Sequence, residues 1–154
     1  MEHCLSIFLV SFNRVLTGFS ISFLCAFCLG MLAALKKDLE VYYGPYVEFM
    51  RNVPPISLIA LLILWFGIGE TSKIIIIVLA SFFPMFMNIR KGLLSCDKKL
   101  LEVGKTCGLS KTASFFKIRL FWALPDILVG MRIGLGYSWR AIIGAEMIAA
   151  GKGL

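Results

Sequence analysis

Few side chains in this 154-residue sequence are of a type and spacing that could do chemistry. Cys25 and Cys28 form a C-x-x-C pair, a spacing used in redox and metal sites. The pair sits in an uncharged apolar run with no histidine or second pair nearby, so it reads as small packing residues on one helix face. His3 is the single histidine and has no ligating companions, which leaves it without a metal or catalytic role. Five cysteines without a spacing framework give no basis for structural disulfides. There is no Ser/His/Asp or Cys/His cluster, no paired carboxylates, and no phosphate-cradling Gly-Lys-Ser/Thr loop. Catalysis and a bound metal or cofactor are not expected of this chain.

The chemistry that remains is charge placed inside apolar sequence. Arg140 and Glu146 lie in the stretch "ILVGMRIGLGYSWRAIIGAEMIAA", residues 127–150. An ionised group in hydrocarbon costs a few kcal/mol or more, so such residues face a cavity or a partner. The two are six residues apart, roughly 600° around a helix, and do not share a face. Arg140 suits either attraction of an anion along a pathway or bonding to the backbone carbonyls of a neighbouring helix. Glu146 suits bracing of a gate or of an interface between copies. Arg132 lies near the end of the stretch and snorkels.

These residues must be positioned by membrane helices. The chain is 59% hydrophobic and 16% charged, with mean hydropathy +0.88, too apolar to cover a soluble domain. The net charge of +7 would suggest nucleic acid in a soluble protein, but here the positions of the charges matter more. About 20 helical residues cross a hydrocarbon core of about 30 Å. Four stretches are candidates: Val15–Leu35, closed by Lys36-Lys37; Val53–Gly69; Ile74–Ile89, bracketed by Lys73 and Arg90; and about Ile127–Ala150. Residues 1–14 suit either an interfacial helix or the tail of a span. They lack a basic n-region and an A-x-A-like site, so a cleaved signal peptide is not expected. Pro84 should kink the third span, and Gly30, Gly134, Gly136 and Gly144 would let helices approach closely. Trp65 and Phe66 end the second span at the outer boundary, where an aromatic belt is the simplest role.

Orientation follows from the Lys and Arg of the connections. Segment 36–52 holds three and segment 90–125 holds eight, eleven of the chain's sixteen. Both segments are therefore assigned to the cytoplasm, with the N-terminus and residues 70–73 outside.

Within the second cytoplasmic segment, "LLEVGKTCGLSKTASFFKIRLFWALP" (100–125) reads as helix, tight turn, helix. Ser95 is placed to cap the first helix, over 95–107, with Asp97 in its first turn and Lys105 near its end. Gly108 stands where a left-handed stop is expected, Ser110 can cap a second helix to about Phe121, and Pro125 allows the next span to start afresh. A helix lying on headgroups would show one broad apolar face, whereas the first helix offers only Leu100, Leu101, Val103 and Cys107. That small mixed surface favours docking in a protein groove over resting on lipid.

At these residues the sequence resembles a family. "EVGKTCG", residues 102–108, is similar to the EAA loop of ABC importer permeases: Glu, two small residues, three variable ones, then Gly. Ile118 falls near the pattern's aliphatic position and Leu124-Pro125 matches its closing Leu-Pro; Val103 and Gly104 stand where the family usually has Ala-Ala. Residues 51–73 and 124–154 resemble the branch serving aliphatic sulfonates, taurine, nitrate and related small anions.

The resemblance implies an all-α, polytopic transmembrane helical bundle of the ABC type I importer permease fold. About four main spans would surround a cytoplasmic helix-turn-helix loop at 95–121, with the transmembrane domain over 15–154. The family's permeases usually have six spans, and this chain is expected to hold the middle four. The loop would couple to a dimer of ATPase subunits through Glu102, Val103, Gly104, Gly108, Leu109, Ser110 and Pro125. ATP and Mg would be used by that partner and not by this chain. A second permease copy, an extracytoplasmic solute-binding protein and the bilayer would be the other partners, in the bacterial inner membrane, with no nucleic acid. Trp65, Phe66, Arg140 and Glu146 would be candidates for the pathway or its gate. Two competing readings are a membrane-embedded enzyme, which lacks its polar cluster here, and a channel or adaptor without an ATPase, which leaves the EAA-like loop unexplained.

Overall fold

A computed structural model describes residues 2–35, 40–67 and 69–151. Lys36 and Lys37, and the side chains of His3, Arg51 and Lys98, lie outside the described residues. Among the described residues seven α-helices follow one another: α1 Glu2–Leu35, α2 Glu40–Asn52, α3 Pro55–Phe66, α4 Glu70–Leu94, α5 Lys98–Thr106, α6 Lys111–Ser114 and α7 Leu120–Gly151. A single π-turn, Phe115–Arg119, joins α6 to α7. No strand occurs among the described residues, in keeping with an all-α fold.

Helix α4 is the centre of the bundle and packs along α1 on one side and α7 on the other. Small residues set how closely they meet. A Cβ at Gly18 or Gly30 of α1 would strike Ile77 or Ile89, and one at Gly92 of α4 would lie 2.7 Å from Asp126 Cβ and 3.1 Å from the Ala123 carbonyl. Gly130 and Gly134 meet Asn88 and Met85 in the same way, and Gly144 meets Ile59. Gly136 has nothing within 4 Å, so the close approach expected there is not found. These pairings make α1 parallel to α4 and α7 antiparallel to both.

The core has two parts. Ile59, Ile77, Ala141 and Ile142 fill the half near the start of α4; Ala26, Met85, Ile89 and Ala123 fill the half near its end. At about 25 cal/mol per Å² of apolar surface removed from water, such packing is the main cohesive term wherever lipid does not already cover the helices. Outside that core, α1 carries a long exposed apolar stripe including Leu16, Leu24, Leu32 and Leu35. Such a face suits lipid and not water.

Among the described residues two helices are long and apolar enough to cross a bilayer, Leu9–Leu35 and Glu70–Leu94. The expected second span is shorter than its sequence suggested: α3 has 12 residues, about 18 Å of helix. Pro54-Pro55 starts it, and Gly67, at φ 75°, ends it in a conformation open to glycine. Residues 2–14 continue α1 without a break. Pro84 lies inside α4, and Asn88 Nδ2 donates to its carbonyl at 2.8 Å.

Candidate functional site

The hairpin between α4 and α7 is built from local signals. Asp97 caps α5: its carboxylate accepts the Lys99 backbone N–H at 3.0 Å. Ser95, expected in that role, instead closes α4, its N–H donating to the Lys91 carbonyl at 2.9 Å. The physical reason is position: only a residue with extended backbone just ahead of the first turn can aim an acceptor at the N2 amide, and Asp97 is that residue.

At the other end of α5, Gly108 takes φ 73°. Its N–H reaches the Lys105 carbonyl, and the Leu109 N–H reaches that of Gly104, both at 3.0 Å. That pair of bonds is a Schellman stop. Ser110 then caps α6 by accepting from the Ala113 N–H at 3.2 Å.

The π-turn brings α5 back onto the hairpin's second arm. A Cβ at the buried Gly104 would lie 2.5 Å from Ile118 Cδ1, so the two arms touch through a glycine and one isoleucine tip. Glu102, Val103, Thr106 and Cys107 are left exposed, Val103 by 58%. Pro125 does not begin a new helix, contrary to expectation, but lies within α7. Its fixed φ is itself helical, and the bond it omits is a single one, to the Phe121 carbonyl, where Phe121 and Trp122 are exposed.

Cys96, in the link before α5, is buried, and that burial pushes its thiol pKa up against the lowering effect of Arg119. Cys107 is exposed, as are Cys25 and Cys28 on α1; all four are free thiols.

A second feature is a groove of about 650 Å³ between α3, α4 and α7. Trp65, Phe83, Pro84, Asn88 and Tyr137 are among its lining. Of the four pathway candidates, Trp65 lines this groove and Arg140 stands at its margin, stacked 5.7 Å over the Tyr137 ring. Phe66 is exposed at the end of α3 and lines no part of it.

Glu146 belongs elsewhere. Its Oε1 accepts from Ser11 Oγ at 2.6 Å and lies 3.6 Å from Arg14, which is also ion-paired with Glu70. Three helices thus meet at one guanidinium near the start of α4. Arg14 and Glu70 were not singled out in the sequence. The available signal was that three charges, one on each of three helices, fall at the same end of the bundle once α1 and α4 are placed parallel.

Residues 26–154 match the family of binding-protein-dependent transport system inner membrane components. The chain belongs to that family. The family is one of membrane components of transport systems. Among relatives of this permease-family chain, the putative aliphatic sulfonates transport permease protein SsuC of Bacillus subtilis is 35% identical over 94% of the chain. The taurine transport system permease protein TauC of Escherichia coli is 36% identical over the same share. The bicarbonate transport system permease protein CmpB of Synechococcus elongatus is 29% identical over 93%. The chain spans 51–52% of the length of these three relatives.

Proposed function

We propose that the chain acts as the membrane-spanning permease subunit of an ATP-driven importer, working in a pair of copies around a shared path. The observation that carries this reading is the rigid hairpin 95–121. Local caps, a Schellman stop and the Gly104–Ile118 contact hold it, while Glu102, Val103 and the glycine Gly108 are exposed. A loop that served only as a linker would need none of this. In this reading the exposed face seats in an ATPase subunit, and closure of two such subunits around ATP and Mg moves the hairpins as rigid bodies. Leu109, Ser110 and Pro125 shape the hairpin behind that face. The path switches between outward- and inward-facing states as a population shift driven by the partner.

Four spans, α1, α3 with its flanks, α4 and α7, would cross the inner membrane, with segments 36–52 and 90–125 in the cytoplasm. An extracytoplasmic binding protein would deliver the solute. The solute is a small molecule with an anionic oxygen-bearing group, such as a sulfonate, taurine or bicarbonate: the names of the relatives point that way, and an exposed Arg140 on α7 supplies a positive charge beside the groove. Trp65 and Tyr137 would shape that groove's wall.

The test is co-purification with the ATPase from the native host. Glu102→Lys or Gly108→Trp is expected to abolish association while membrane insertion survives. Recovery of the ATPase at wild-type yield with both variants would overturn the reading and favour an adaptor or channel.

A further inference from the structure

Behind the hairpin lies a cleft of about 330 Å³ to which the transport reading assigns no ligand. Lys105, Lys111 and Arg119 line it together with Leu35, Leu101 and Phe115. No carboxylate is among its described lining residues, and none of the three cations is in an ion pair among the described residues. Asp97 is occupied as the α5 cap, and Glu102 is exposed and forms no ion pair among the described residues. Three like charges around one apolar hollow repel one another unless an anion joins them.

Leu35 joins the cleft to the exposed apolar face of α1. It is the last residue of α1 and continues the exposed stripe of Leu29 and Leu32, at 59%, 48% and 57% exposure. A free inorganic anion would engage the cations and leave the apolar floor wet. A molecule with an anionic head and a hydrocarbon body satisfies both.

We propose that this cleft holds the phosphate head of an anionic phospholipid of the cytoplasmic leaflet, with its first acyl carbons against Leu35, Leu101 and Phe115. The lipid braces α5 on the side that carries Leu101 and Lys105. The leaflet rests on the orientation given above; the binding itself does not depend on an ATPase.

The experiment uses the full chain in phosphatidylcholine vesicles carrying a trace of photoactivatable phosphatidylglycerol. Labelling is expected on peptides within 98–119, and a matched phosphatidylcholine probe should give little. Lys105→Gln and Lys111→Gln should each lower it about five-fold, the weight of one cation near an anionic surface. Lys117→Gln, on the same hairpin but outside the lining, should leave it unchanged, and Lys111→Arg should retain it, which separates lost charge from lost fold. Equal labelling by the zwitterionic probe, unchanged labelling in both Gln variants, or displacement by inorganic phosphate would overturn the proposal. ATPase recovery on the same variants reads the transport function separately.

Discussion

Arg14 Nη1 of α1 lies 3.6 Å from Glu146 Oε1 of α7, although 132 positions separate them in the sequence. The same carboxylate oxygen accepts from Ser11, and the same guanidinium pairs with Glu70. The Arg14 side chain is 18% exposed, and those of Glu146 and Glu70 are 37% and 60%. Water screens the Glu70 side more, so the tie to α7 matters more for holding α1 in place. Glu146→Leu should lower the thermal midpoint of the detergent-solubilised protein more than Glu70→Gln. A coupling of about 1 kcal/mol is expected from an Arg14/Glu146 double-mutant cycle, the upper end for exposed pairs. A cycle that closes to zero would mean that the cluster does not tether α1.

The hairpin's caps separate two assignments of the α5 start. Asp97→Ala and Ser110→Ala should each cost about 1 kcal/mol of local stability, read as faster amide hydrogen exchange in α5 and α6 respectively. Ser95→Ala should leave α5 exchange as it is, because its hydroxyl donates to the Gly92 carbonyl in α4. Faster exchange of α5 in the Ser95 variant would contradict the geometry.

Two glycines should respond differently to alanine. At Gly92 the obstacles are the Asp126 and Ala123 Cβ atoms and a backbone carbonyl, which cannot turn away. Gly92→Ala should destabilise by about 1–3 kcal/mol as α4 and α7 are forced apart. At Gly104 the nearest atom is the methyl end of Ile118, which can rotate, so Gly104→Ala should be nearly silent and Gly104→Leu should not. Thermal melts of the three variants in one detergent decide this, and equal losses for both alanines would count against it.

Thiol labelling tests burial and sidedness together. Cys107 is exposed on the hairpin and should react first with a membrane-impermeant maleimide in inside-out vesicles. Cys96 should lag and need higher pH. Burial favours its neutral thiol, so the reactive thiolate appears only as pH rises past a raised pKa. Labelling of Cys107 in intact right-side-out cells would reverse the assigned orientation.

How much was legible depends on the distance over which each feature acts. The Ser110 cap and the left-handed Gly108 were readable because each acts within a few residues. The α5 cap was misplaced by two residues because Ser95 and Asp97 are both good capping types, and only backbone conformation chooses between them. The continuity of α7 through Pro125 was missed because a proline permits a helix start without requiring one.

The sequence by itself determined what side-chain chemistry decides locally: an apolar helical chain, cations gathered in two of its connections, and a capped hairpin of EAA-like pattern. Tertiary structure alone decided which charges meet and which glycines matter. Arg14 finds Glu146 and Glu70, Gly92 is crowded and Gly136 is not, and Lys105, Lys111 and Arg119 surround one hollow. Those outcomes follow from the axial register and rotation of packed helices, set by many small contacts at once. No short stretch of sequence carries that information.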